Sequence, residues 1–406
     1  MKKIMIISSA RTGHGHQSIA NALTEQLNQY KDVQADVVEG FQFYGRVGVK
    51  ASGIYGPVTR YNKELWKLNW TVTTNYAKTW EQLMVPFVHD RFMERLKNDP
   101  PSLIVNIHPM FNDNLLTIMR ENNVRIPFIT LLADLVDIHP LWVSKYADLI
   151  LCPTDESVEA CAALGVTRDK LHRCGFPTRR NFSEAAKNRE HRPYSGDRQL
   201  ECLLMSGGEG SGNLRVISEH LLKNFNSRVT VICGRNTRMK ESLENNFSHY
   251  GDRIRILGFC TNVQDYMIEA DVAVMRGSPN SMLEAVVCNV PLIITGSLPG
   301  QEASNPEYAQ KHGLGIVCLD PKQLTPLLHR LLDDNAAGLN RIAESQRRYR
   351  NLESAGEIAR LLVERALDTP PVIPSFEQRF PLLMHAAELF RKMEANIASF
   401  RNQKET

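Results

Sequence analysis

The stretch Lys3-Ile4-Met5-Ile6-Ile7-Ser8, followed by Gly13-His14-Gly15-His16 and then by residues 17–29, decides the fold. Its four consecutive apolar residues have the pattern of a strand covered on both faces. Gly13 and Gly15 make a turn, after which Ile19, Ala20, Leu23 and Leu27 recur at helical spacing. Strand, turn and helix in this order open a doubly wound α/β sheet. Apolar, β-branched runs at 33–38, 103–107, 127–132 and 149–152 continue the strand series.

A second series starts at 200–205 with another strand. A glycine-rich turn follows, Ser206-Gly207-Gly208-Glu209-Gly210-Ser211-Gly212, and then a helix over 216–225. Runs at 229–233, 254–257, 272–275 and 292–295 read as its further strands. Between the series, 181–197 is polar, contains Pro193 and Gly196, and reads as a linker. The expected organisation is an N-terminal domain over 1–180 and a C-terminal domain over 198–350. C-terminal helices over 351–406, one of them at 381–400, are expected to pack back toward the first domain.

The 406 residues suit two such domains. Hydrophobic residues at 43% and charged residues at 23% exclude a disordered chain. A net charge of +3 gives no case for a nucleic-acid partner. The eight cysteines include no CxxC pair, which excludes a disulfide framework and a zinc-finger site. Free thiols fit a reducing cytoplasm. No apolar run approaches the roughly 18 residues of a membrane span. Arg11, His14 and His16 follow the first apolar run at once, so it reads as a strand rather than a signal peptide.

One stretch departs from the α/β pattern. Residues 43–97 hold nine Lys or Arg against four acids, and they carry Trp66, Trp70 and Trp80. Aromatic rings suit the headgroup region of a bilayer, and the cations attract anionic lipid. The expectation is peripheral contact with an anionic membrane surface.

The turns carry the chemistry. A glycine turn between strand and helix presents backbone N–H groups at the positive end of the helix dipole, where an anion binds. Gly207, Gly208 and Gly210 allow a diphosphate to approach closely. In the first turn the histidines point to proton transfer. Gly13, Gly15, Ser18 and Glu39 also approximate a dinucleotide fingerprint, so an NAD-dependent enzyme is a competing reading. A metal on the His-x-His pair lacks a third ligand at useful spacing. After the strand at 272–275, Ser278, Asn280 and Ser281 form a turn and helix start, with Glu284 one turn on. Ser281 and Glu284 could form a capping box, and Glu284 could also accept both hydroxyls of a ribose. Pro299-Gly300-Gln301-Glu302 offers an amide and an acid to sugar hydroxyls. No Asp-x-Asp pair, the usual holder of a metal-bound nucleotide sugar, occurs in the chain.

The chain resembles the monogalactosyldiacylglycerol synthases and processive diacylglycerol glucosyltransferases, relatives of the MurG glycosyltransferases. The resemblance covers roughly residues 1–350. It rests on Gly13 to Gln17, Ile107-His108-Pro109-Met110, the run from Ala133 to Pro140, and Gly175-Phe176-Pro177-Thr178-Arg179. It rests also on Gly207 to Gly210, Cys233-Gly234-Arg235-Asn236, Gly258-Phe259, Ser281 to Ala285 and Pro299 to Glu302. Arg276 to Asn280 stand where the family usually has a lysine, a small residue and glycines.

The resemblance implies a GT-B fold, two Rossmann-like domains facing each other across a cleft, with the donor on the second. It implies an inverting, metal-independent and cofactor-free transfer of glucose or galactose from a UDP-hexose to a lipid acceptor, diacylglycerol above all. His16 falls on the general base, Glu284 on the ribose ligand and Gln301 and Glu302 on the sugar contacts. The backbone of Phe259 falls against the uracil and Arg179 near the diphosphate. Sugar transfer to an alcohol needs a base, and an imidazole suits neutral pH; Asp134 could orient it. The place expected is the cytoplasmic face of the cell membrane. The rivals are a same-fold transferase using UDP-N-acetylglucosamine or a soluble acceptor, and a UDP-sugar epimerase.

Overall fold

The computed structural model describes residues 1–10, 15–52, 70–188, 193–205 and 213–368. Gly13, His14, Trp66, the glycine-rich stretch with Gly207, Gly208 and Gly210, and the expected helix at 381–400 lie outside the described residues. The chain divides into two compact units.

The first unit holds residues 1–133, 138–174 and, among those described, 356–368. Its strands are β1 (Lys2–Ser8), β2 (Val33–Glu39), β3 (Leu103–Asn106), β4 (Phe128–Leu131), β5 (Leu149–Cys152) and β6 (Leu171–Arg173). They pair in parallel in the order β2-β1-β3-β4-β5-β6. Ile4 to Ile7 are fully buried, as a parallel strand covered on both faces requires. The helix Gly15–Leu27 buries Ile19, Ala20, Leu23 and Leu27. The chain leaves β1 for β2 on one side and reaches β3 on the other, so the order reverses at β1. In such sheets ligands bind outside the carboxyl ends of the strands at the reversal. His16, after β1, and His108, after β3, lie there.

The second unit holds residues 134–137 and 175–355. Its strands are β7 (Leu200–Met205), β8 (Ser227–Ile232), β9 (Ile254–Leu257), β10 (Val272–Met275), β11 (Leu292–Ile294) and β12 (Gly315–Val317). Their order is β12-β11-β10-β7-β8-β9, again parallel. The reversal falls between β7 and β10. The chain leaves those strands at Met205 and Met275, which are register partners, and enters the 206–212 and 276–278 stretches.

Two sequence expectations are corrected. Part of the 181–197 linker is the helix Arg180–Asn188, which buries Phe182, Ser183 and Ala186 along one side. Its polar residues are the solvated face of an amphipathic helix. Ser281 is not the cap of its helix, because Pro279–Val287 begins earlier. Ser278 is the N-cap residue, Pro279 takes the first turn as its fixed φ favours, and the Ser278 side chain makes no capping bond. A Ser281–Glu284 capping box is therefore absent. Two three-residue strands, β6 and β12, escape a reading by apolar runs. Both lie at sheet edges, and two of the three β6 residues are exposed. Within 41–97, the described residues form helices and turns.

Candidate active site

In the first unit, His16 is the second residue of its helix and is buried. Its ring centroid stands 4.6 Å from that of His108 and 5.9 Å from that of Trp142. Burial lowers its pKa to about 4, partly offset by a backbone hydrogen bond at Ile107. A bond that favours the charged ring is one accepted by a carbonyl, and the Ile107 N–H is already given to Ile7 O at 2.9 Å. His16 Nδ1 is buried and has no hydrogen-bond partner among the described residues. A neutral imidazole with one nitrogen unsatisfied is set to accept a proton.

His108 is buried too, and burial together with His16 holds its pKa well below the ordinary imidazole range. Its Nδ1 accepts the Met110 N–H at 3.2 Å. Beneath it, Asn106, Asn112 and Thr130 form a polar cluster with no exposed surface. Asn106 Nδ2 donates to the His108 carbonyl at 3.0 Å and to Asn112 Oδ1 at 2.8 Å, and Asn106 Oδ1 accepts the His108 N–H at 3.2 Å. Thr130 Oγ1 donates to Asn112 Oδ1 at 2.7 Å, and Asn112 Nδ2 donates to the Leu141 carbonyl at 2.9 Å. Sequence reading passed over these three residues. The available signal is a polar residue ending the apolar strand Leu103–Asn106.

Other residues of this unit have structural engagements. Glu39 Oε2 accepts the Ala10 N–H at 3.0 Å, and its other oxygen accepts that of Phe41 at 3.4 Å. The acid of the dinucleotide reading thus closes the end of β1. His139 Nδ1 accepts the Leu141 N–H at 3.1 Å, its Nε2 meets Thr73 Oγ1 at 3.1 Å, and the Trp70 ring packs edge-on at 4.6 Å. Burial lowers the His139 pKa to about 4. Trp70 is therefore an anchor in the fold, whereas Trp80 is open to solvent. Tyr76 N bonds Val72 O at 3.1 Å and Trp80 N bonds Tyr76 O at 2.9 Å, which stacks the three residues on one side. With Leu83 they make an apolar stripe whose exposure runs from 41% at Trp80 to 65% at Tyr76.

In the second unit, Glu284 is buried and pairs through Oε1 with Arg179 Nη2 at 3.1 Å. The Arg179 guanidinium lies 4.7 Å over the Phe182 ring. Ser278, Asn280 and Ser281 are half-buried in the first turn of the Pro279–Val287 helix. Phe259 is exposed after β9, with the Arg235 guanidinium 5.0 Å over its ring. Glu302 is buried, its Oε2 accepts the Leu298 N–H at 2.8 Å, and Arg276 Nε lies 3.2 Å from the same oxygen. Burial raises the Glu302 pKa and Arg276 partly offsets it. Gln301 Nε2 donates to Asp134 Oδ1 at 3.1 Å. Asp137 accepts both the N–H and the hydroxyl of Ser304, at 2.7 and 2.8 Å. Asp134 is thus joined to Gln301 within this unit. Asn305 Nδ2 donates to the Gly277 carbonyl at 2.8 Å, so the turn after β10 is braced from the 299–305 segment.

Residues 16–178 match the family model described as monogalactosyldiacylglycerol (MGDG) synthase, and residues 213–334 match that of glycosyl transferases group 1. A curated relative, monogalactosyldiacylglycerol synthase 1, chloroplastic, of Arabidopsis thaliana, is 26% identical over 352 residues. That alignment takes in 80% of this chain and 64% of the relative, so the chain spans just under two thirds of the relative's length. Among solved structures, MurG of Acinetobacter baumannii aligns with a TM-score of 0.61 at 13% identity, over 90% of this chain and all of that one. The UDP-GlcNAc 2-epimerase of Neisseria meningitidis aligns at 0.57 and 11% identity, over 91% of this chain and 100% of that one. The structural likenesses establish the two-domain fold and do not separate transferase from epimerase; the two family models do. On these matches the chain has the two-domain GT-B fold and is similar, in its two halves, to monogalactosyldiacylglycerol synthases and to group 1 glycosyl transferases.

Proposed function

We propose that the protein moves a hexose, glucose or galactose, from a UDP-sugar to the hydroxyl of a membrane lipid, diacylglycerol above all. The acceptor oxygen attacks the anomeric carbon, and the bond from that carbon to the diphosphate breaks. UDP leaves with the bonding electrons and His16 takes the hydroxyl proton. A single displacement of this kind inverts the anomeric centre. The observation that carries the reading is His16 itself. It is a buried, neutral imidazole with an unsatisfied nitrogen, at the sheet reversal of the unit that matches the synthase family.

The second unit supplies groups suited to the donor. Glu284 suits the ribose, the Phe259 backbone the uracil, and Gln301 the hexose. Ser278, Asn280 and Ser281, on the turn and first helical residues after β10, suit the diphosphate, with Arg179 and the glycines at 207, 208 and 210. Positive helix ends and guanidinium groups stabilise a leaving diphosphate directly, which supports a route without metal or cofactor. Asp134 serves by holding Gln301.

Lipid contact is assigned to the exposed stripe Val72, Tyr76, Trp80 and Leu83, with Trp66 as a further aromatic candidate. Lys78 is exposed on the same helical segment, and aromatic residues with cations suit an anionic headgroup layer. Among the described residues no helix is long and apolar enough to cross a membrane, so the attachment proposed is peripheral, on the inner face of the cell membrane.

The test is UDP release with diacylglycerol in mixed micelles, using UDP-glucose, UDP-galactose and UDP-N-acetylglucosamine in parallel. Lipid-dependent UDP release with a hexose donor supports the reading. Activity with UDP-N-acetylglucosamine alone, or donor interconversion without an acceptor, supports a rival.

A further inference from the structure

In the first unit the environment of His16 is built by residues that sequence reading left without a role. His108 stands between His16, at 4.6 Å, and the rings of Phe41 and Phe111, at 5.3 and 5.1 Å. Its own backbone is gripped at both polar groups by one amide, that of Asn106. Asn106 is fixed by Asn112, and Asn112 by Thr130 and the Leu141 carbonyl. Leu141 precedes Trp142, the second ring against His16. A wholly buried, mutually bonded amide cluster is costly to build and rigid once satisfied. Here it ends on both rings that contact the proposed base.

We propose that His108 is a positioning residue for His16. Its ring holds the His16 imidazole in the orientation that presents the unsatisfied nitrogen, and Asn106, Asn112 and Thr130 hold His108. The inference rests on His16 being the base of the transfer. Hydrogen bonds hold the Nδ1 and backbone of His108, while its ring packs against His16. Orientation of the reacting groups within a few tenths of an ångström governs turnover more than ground-state binding.

The experiment uses His108→Asn in the full-length protein. An asparagine oxygen can still accept the Met110 N–H, so the turn keeps its cap while the ring is lost. Steady-state kinetics with UDP-hexose and diacylglycerol micelles should show kcat lowered 10- to 100-fold, with the donor KM within about two-fold of wild type. In a His16→Ala background the same change should have no further effect, because His108 acts through that ring. Thr130→Val, which removes one donor from the cluster and keeps its shape, should lower kcat about three- to ten-fold with unchanged donor KM. It carries the test if His108→Asn does not fold. Wild-type-like kcat in His108→Asn, or in Thr130→Val where that variant stands in, overturns the inference. So does an equal loss from His108→Asn in the His16→Ala background. If His16→Ala itself turns over like wild type, the base assignment falls first. That outcome is separate from one in which His16 matters and His108 does not.

Discussion

Arg179 and Glu284, 105 positions apart, form a 3.1 Å ion pair in which the acid is buried and the guanidinium lies over Phe182. The carboxylate proposed for the ribose is thereby held by the arginine proposed for the diphosphate. Glu284→Ala should weaken UDP binding several-fold, since a lost bond to a charged group costs about 1–3 kcal/mol. Because the pair is in contact, Arg179→Ala and Glu284→Ala together should cost less than the sum of the singles. Titration calorimetry with UDP measures both. Unchanged affinity in Glu284→Ala would remove that residue from the site.

His16→Ala should reduce turnover by roughly 10²–10⁴-fold while UDP still binds, the usual size of general-base assistance. With a His16 pKa near 4, the base is already unprotonated at neutrality. The pH profile of kcat/KM should be flat between about 6 and 8 and fall toward 4 as the imidazole takes its proton. An acid limb centred near 6.5, the ordinary imidazole value, would contradict the burial account.

The histidines also couple stability to pH. His139 takes its proton near 6.5 when unfolded and near 4 when folded. Between those values the unfolded chain binds more protons, so the contribution of His139 to stability falls as pH falls. Burial raises the Glu81 pKa well above the usual carboxylate range, which acts in the opposite sense. The clean measurement is therefore a difference. His139→Asn keeps a side-chain oxygen for the Leu141 N–H, and its denaturant midpoint should decline less steeply than wild type between pH 6.5 and 4. Parallel declines would mean that His139 titrates normally in the fold.

The membrane assignment predicts that the protein sediments with anionic liposomes at low salt and is released by high salt. Replacing Tyr76, Trp80 and Leu83 together by Ser should weaken sedimentation and leave UDP affinity intact. Trp70→Ala, by contrast, should lower thermal stability, because that ring packs on His139. A wild-type protein indifferent to anionic liposomes would favour a soluble acceptor.

The apolar runs of the sequence located ten of the twelve strands among the described residues, because buried parallel strands announce themselves by composition. The short strand Leu171–Arg173, with two of its three residues exposed, does not. Phe182, Ser183 and Ala186 were hidden among the charges of 181–197, where three buried positions suffice to seat a helix. His16 and Glu284 were legible from their turns. Their partners were not. Asn106, Asn112 and Thr130 meet only when the ends of β3 and β4 are laid side by side, and a single Asn in a sequence carries no sign of burial. Gln301 and Asp134 read as separate site residues, yet they bond each other at 3.1 Å.

Transfer of a hexose to a lipid hydroxyl with inversion leaves its record in the anomeric configuration of the product. It is tested most directly by incubating the protein with α-linked UDP-[¹³C]hexose and diacylglycerol micelles in excess chelator, then recording the proton spectrum of the extracted lipid. The expected product is a labelled glycolipid carrying a β-linked hexose, formed at the same rate with and without chelator. An α-linked product, strict dependence on an added divalent ion, or label recovered only as an altered UDP-sugar in the aqueous phase would contradict it.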